Sequence, residues 1–124
     1  MERVVLDMAH PLAESPRTSF LQPSTISRET LYTVPNKHTG MLVVFILTNS
    51  DTVTRTMLVE YYDVSTTTYH TLFHKDVAGH DSVIFGEHGS VVLEAGDKLV
   101  LTATTANTIT AIATVHETLD AGRN

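Results

Sequence analysis

Alternation of apolar and polar positions is cleanest near the end of the chain, in TITAIATVHETL (108–119). Ile109, Ala111, Ala113 and Val115 share one face, and Thr108, Thr110, Thr114 and His116 share the other, where Ile112 is the exception. A period of two marks a half-buried strand with one wet face. Leu99, Leu101 and Ala103 alternate in the same sense with Lys98, Val100 and Thr102. MLVVFILTNS (41–50) is instead apolar on both faces, which predicts a central strand covered on each side and closed by Asn49, Ser50 and Asp51. ETLYTV before Pro35, TVTRTMLVEYYDV, TTTYHTLFHKDV, DSVIFGEH and SVVLEAGD are rich in β-branched and aromatic residues, with turn signals such as PNKHTG between them. No segment after residue 29 carries a helical period. About seven or eight short strands at regular spacing predict an all-β fold, an antiparallel β-sandwich of jelly-roll or Ig-like type or a barrel.

The first 28 residues break this pattern. They hold three of the four prolines (Pro11, Pro16, Pro23) and little periodicity. Each proline lacks an amide donor and pushes its predecessor towards extended geometry, so the segment reads as an extended N-terminal arm. Phe20, Leu21 and Ile26 are isolated apolar residues within it. Two placements are open: packed back on the domain's own surface, or ordered against a neighbouring subunit as partner-binding residues. The expected organisation is an arm over 1–28, a sandwich over 29–119 and a flexible tail over 120–124.

Composition narrows the function. At 124 residues the chain is one domain by size, with 42% hydrophobic and 18% charged residues, as a folded globular chain requires. A net charge of −6 with only eight scattered basic residues argues against nucleic acid as the main partner. The absence of cysteine removes disulfides, zinc thiolates and thiol chemistry. The acidic start is unlike a secretory signal, and the longest apolar run, MLVVFIL, is far shorter than the roughly 20 residues of a membrane span. A soluble protein made in the cytosol, with no membrane partner, is expected.

The candidate chemistry lies in YHTLFHKDVAGHDSVIFGEH (69–88), which carries His70, His74, His80 and His88. On a strand, His70 and His74 would point the same way roughly 13 Å apart, too far to share one ion. His80 with Asp81, or His88 with Glu87, could meet only through loops. VVLEAGDKLVL resembles the strand and turn of a cupin barrel, but a cupin metal site needs two histidines separated by one residue, and no such pair occurs. Ser82 and Ser90 lie in no Gly-x-Ser-x-Gly elbow. Glu60 and Asp63 read as solvated strand charges, and Gly96–Asp97 as a turn with a positive φ at the glycine. No catalytic residue, cofactor or metal site is expected, and a metal-dependent cupin-like enzyme stands as a remote alternative. Tyr61, Tyr62 and Tyr69 are the only candidates for a sugar-stacking platform, in a chain with no tryptophan.

Four elements in order carry a resemblance: Tyr32, Thr33 and Pro35; Thr48 and Asn49; Leu93, Gly96 and Asp97; and Glu117. Together they are similar to small β-sandwich structural proteins of tailed bacteriophage virions, over residues 29–118. The resemblance implies a non-enzymatic virion component, a capsid decoration or cement subunit bound to the major capsid protein or other virion proteins. A neck, tail, baseplate or fibre part is the alternative. It also implies assembly in the cytoplasm of a bacterial host. Repeated symmetric attachment sites favour a homo-oligomer, a trimer first.

Overall fold

The structure, a computed structural model, describes residues 15–86 and 91–120. Nine strands run through them: β1 (Ser15–Leu21), β2 (Glu29–Thr33), β3 (His38–Asn49), β4 (Arg55–Asp63), β5 (Thr68–Val77), β6 (Ser82–Phe85), β7 (Val92–Leu93), β8 (Lys98–Ala103) and β9 (Ile109–Leu119). One sheet has the order β1-β9-β3-β6, with the short β7 also on β3; the other has the order β2-β8-β4-β5. Every pairing is antiparallel. The pairs β1–β9, β2–β8, β3–β6 and β4–β5 join the ends of the chain inwards, as in one long hairpin rolled up on itself. That order makes the sandwich a jelly roll and not an Ig fold. No helix of the described residues is long and apolar enough to cross a membrane.

The alternation seen in the sequence sets the core. Ile109, Ala111, Ala113 and Val115 of β9 face Leu99, Leu101 and Ala103 of β8 across the sandwich, and all are buried. Three of the four phenylalanines bridge the sheets. Phe45 of β3 lies beside its cross-strand neighbour Phe85 of β6. Phe73 of β5 meets Phe45 edge-on at 5.3 Å and stacks on Phe85 at 4.2 Å. The small alanines of β9 and the bulky Phe45, Leu47 and Met57 fill the same layer, as close packing of opposed sheets requires.

Two expectations change here. The segment read as an arm is, from Ser15 onward, the edge strand β1, paired with β9 from Ser15↔Glu117 to Leu21↔Ala111. Pro16 is tolerated because an edge strand leaves alternate amides without a sheet partner; residues 1–14 lie outside the described residues. The second change concerns β3. Its inward residues Leu42, Phe45 and Leu47 are buried, but Val44, Ile46 and Thr48 on the other side are only partly so, and no described strand lies over them. The strand is central within its sheet without being covered on both faces. At the other end, the Asp120 amide donates to the Lys37 carbonyl at 2.8 Å, so residue 120 is tied to the body; 121–124 lie outside the described residues.

Candidate functional site

The histidines do not converge. His70 and His74 both lie on β5, yet a bulge places Leu72 between the pairs Phe73↔Val59 and Thr71↔Glu60. His70 is thereby opposite Tyr61, and His74 opposite Leu58. Residues 58 and 61 face opposite sides of β4, so the two imidazoles do too, rather than the same side. His80 sits in the β5–β6 loop at φ 54°, its amide donating to the Asp51 carbonyl at 2.9 Å. His88, Glu87 and Ser90 lie outside the described residues. Among the described residues no group of three metal-ligating side chains gathers. The Ser82 hydroxyl is bonded to Thr48 Oγ1 at 2.8 Å.

Glu60 is not a solvated strand charge. It is 6% exposed, and the Arg28 guanidinium donates to its carboxylate at 2.9 and 3.4 Å. Arg28 also lies 3.7 Å over the ring of Tyr69, Tyr69 contacts Tyr62 at 4.7 Å, and the Lys98 ammonium is 5.6 Å from Tyr62. Tyr61 turns away from this group, its hydroxyl donating to Asp97 at 3.1 Å. The three tyrosines therefore form no common platform. The outer surface of the four-stranded sheet is a ladder of cation, ring, ring and cation that its own residues complete.

Other buried polar side chains act as ties between elements. Tyr32 of β2 donates to Glu117 of β9 at 2.6 Å, crossing from one sheet to the other, and Arg17 of β1 reaches the same carboxylate at 3.3 Å. Asn49, at the end of β3, donates to the Val53 and Val77 carbonyls at 2.8 and 2.9 Å and accepts from the Asp51 amide at 2.9 Å. Asp97 accepts from the amides of Glu94 (2.8 Å) and Val64 (3.1 Å) beside Gly96, whose φ of 89° is the positive value the turn demanded. Tyr32, Asn49, Asp97 and Glu117 are four of the nine residues that carried the phage resemblance, one from each of its elements. All four are buried ties.

Burial first, and then the carboxylate acceptor, pushes the Tyr61 phenol up to about 12 and the Tyr32 phenol higher still. Both groups keep their protons in the fold at pH values where the unfolded chain has lost them. Their contribution is complete below the ordinary tyrosine value of 10.0 and is lost as pH rises through the folded values. Urea midpoints should therefore fall steadily above pH 10, and less steeply in Tyr61→Phe.

The residues expected to bind partners divide. Leu21 packs against the core, whereas Phe20 and Ile26 are 76% and 66% exposed. Phe20 belongs to a larger feature. It lies opposite Ile112 of β9, Ile112 lies opposite Ile46 of β3, and Ile46 lies opposite Ile84 of β6. Four apolar side chains thus form one row across the outer face of the five-stranded sheet, with Ile84 69% exposed. On either side run hydroxyl rows, Thr18 bonded to Thr114 (3.0 Å) and Thr48 to Ser82 (2.8 Å). Ile112, the residue out of step in the alternation, is one of the two inner members of the row. A smaller cleft is lined by Thr39, Glu94, Ala95 and Asp120. Its one hydroxyl, on Thr39, already donates to Asp120 at 3.0 Å.

No protein-family model matches the chain, and no curated protein matches it. Solved structures do. A phage capsid chain, from the acid-stable capsid of Helicobacter pylori bacteriophage KHP30, is 12% identical with a TM-score of 0.53, over 88% of this chain and 90% of that one. A subunit of the disulfide-linked pili that form Bacillus endospore appendages is 12% identical with a TM-score of 0.52, over 86% of each chain. A capsid chain of cyanophage Pam1 is 16% identical with a TM-score of 0.44, over 89% of each. At these identities the likeness to the first two is one of fold, and this chain spans almost the whole of each of them.

Proposed function

We propose that this chain is a non-enzymatic structural protein of a bacteriophage virion, a decoration or cement subunit that binds the major capsid protein on the outside of the head. The observation that carries this reading is the outer face of the five-stranded sheet. An isolated domain has no use for a row of exposed apolar side chains set in uncharged hydroxyls, and such faces belong to assembly surfaces. Two fold neighbours above a TM-score of 0.5 come from a capsid and a pilus, both repeating assemblies. Without cysteine, this chain would hold its place without disulfides. The acidic exterior suits the outer shell, away from packaged DNA.

The test adds purified protein to phage heads that lack it. Saturable binding, with heads that then release DNA at a higher temperature, is the expected result. Binding only to tails or necks would move the chain to the alternative, a neck, tail, baseplate or fibre part. No binding to any particle component would overturn the proposal.

A further inference from the structure

We infer that the outer face of the five-stranded sheet seats a second copy of this chain, packed sheet to sheet across a two-fold axis. The inference rests on the reading of the chain as an assembly subunit and names the partner at its bare face. Charge comes first. The chain has 14 acidic and eight basic residues, yet no Asp, Glu, Lys or Arg occupies a described strand position on this face. The outer face of the other sheet carries Arg28, Glu60 and Lys98. Two molecules of net charge −6 repel at most orientations, but here they can meet without burying one ionised carboxylate, ammonium or guanidinium. His116 is the only ionisable side chain at these positions, opposite Pro16 and Met41.

Area is the second argument. Four strands about 4.8 Å apart and about eight residues long give a face of roughly 19 by 26 Å, or roughly 1,000 Å2 buried over both copies. That is the lower bound of a specific interface and describes a reversible pair. Geometry is the third. Opposed sheets pack about 10 Å apart with their strands within about 30° of each other, and the row from Phe20 to Ile84 then meets its own copy about its middle, between Ile112 and Ile46. Only a two-fold brings one flat face against itself, so the pair replaces the trimer as the first assembly expected.

Sedimentation of the full chain over a concentration series tests this. The mass should rise from one chain to two, and more readily at high salt, because screening weakens the repulsion between like-charged copies. Ile84→Lys and Phe20→Lys, both at exposed positions, should each raise the dissociation constant by about tenfold or more by burying an unpaired charge. Thr30→Lys, on the other sheet, should leave it unchanged. A chain that stays monomeric at high salt overturns the inference, whatever covers the face, residues 1–14 included. So does an oligomer indifferent to both face variants. A monomer that still saturates heads would sink this inference and leave the proposed function standing, and a face-dependent dimer that binds no particle would do the reverse.

Discussion

Phe45→Ala is expected to cost about 4 kcal/mol of folding stability, the largest loss from any single truncation in this chain. Phe45 is fully buried, edge-on against Phe73 of the other sheet and opposite Phe85 in its own. Truncation leaves a cavity beside the stacked pair of Phe73 and Phe85 that the paired strands β3 and β6 cannot close without breaking their register. The melting temperature should drop by about 15 °C. Phe20→Ala is the internal comparison. It removes the same side chain from a position 76% exposed, and should shift stability by no more than about 0.5 kcal/mol. Thermal scans of the two variants decide the matter, and equal losses would mean that the core has been placed on the wrong face of the sheet.

Asn49→Ala should follow, at about 3 kcal/mol. The Asn49 side chain is fully buried where three segments meet: the end of β3, the loop into β4 and the end of β5. Removing it leaves the Val53 and Val77 carbonyls and the Asp51 amide without their partner at once. No hydrophobic replacement restores these bonds, so Asn49→Leu should be no better than alanine. Urea unfolding checks it: the midpoint falls while the slope stays the same, because the surface exposed on unfolding is unchanged. Retained stability in both variants would show that water or neighbouring hydroxyls satisfy these groups.

Both residues were visible in the sequence, though for different reasons. Phe45 stands in an unbroken apolar run that could only be a strand, while Asn49 was legible as a strand end and not as a tie. The strand pattern followed from β-branched residues at period two. The jelly-roll order did not, because pairing of β1 with β9, or of β2 with β8, depends on residues far apart in sequence. Pro16 and Pro23 read as marks of an arm, but an edge strand accommodates proline, and β1 was missed. The face of His74 was missed because a bulge adds one residue and reverses the side of everything beyond it. Glu60 looked solvated since its partner, Arg28, lies 32 residues away. The apolar row left its trace as two anomalies, Ile112 on a threonine face and Val44 and Ile46 on a strand apolar on both sides. Ile112 read as an exception, and Val44 and Ile46 as the second covered face of a central strand, until register set Ile112, Ile46, Phe20 and Ile84 in line.

Imaging of intact virions tests the central claim most directly. The account predicts density for this sandwich on the outside of the head at every equivalent lattice position, with the face of Phe20, Ile112, Ile46 and Ile84 covered by protein. Particles whose heads lack the chain, or a bound chain with that face open to solvent, would contradict it.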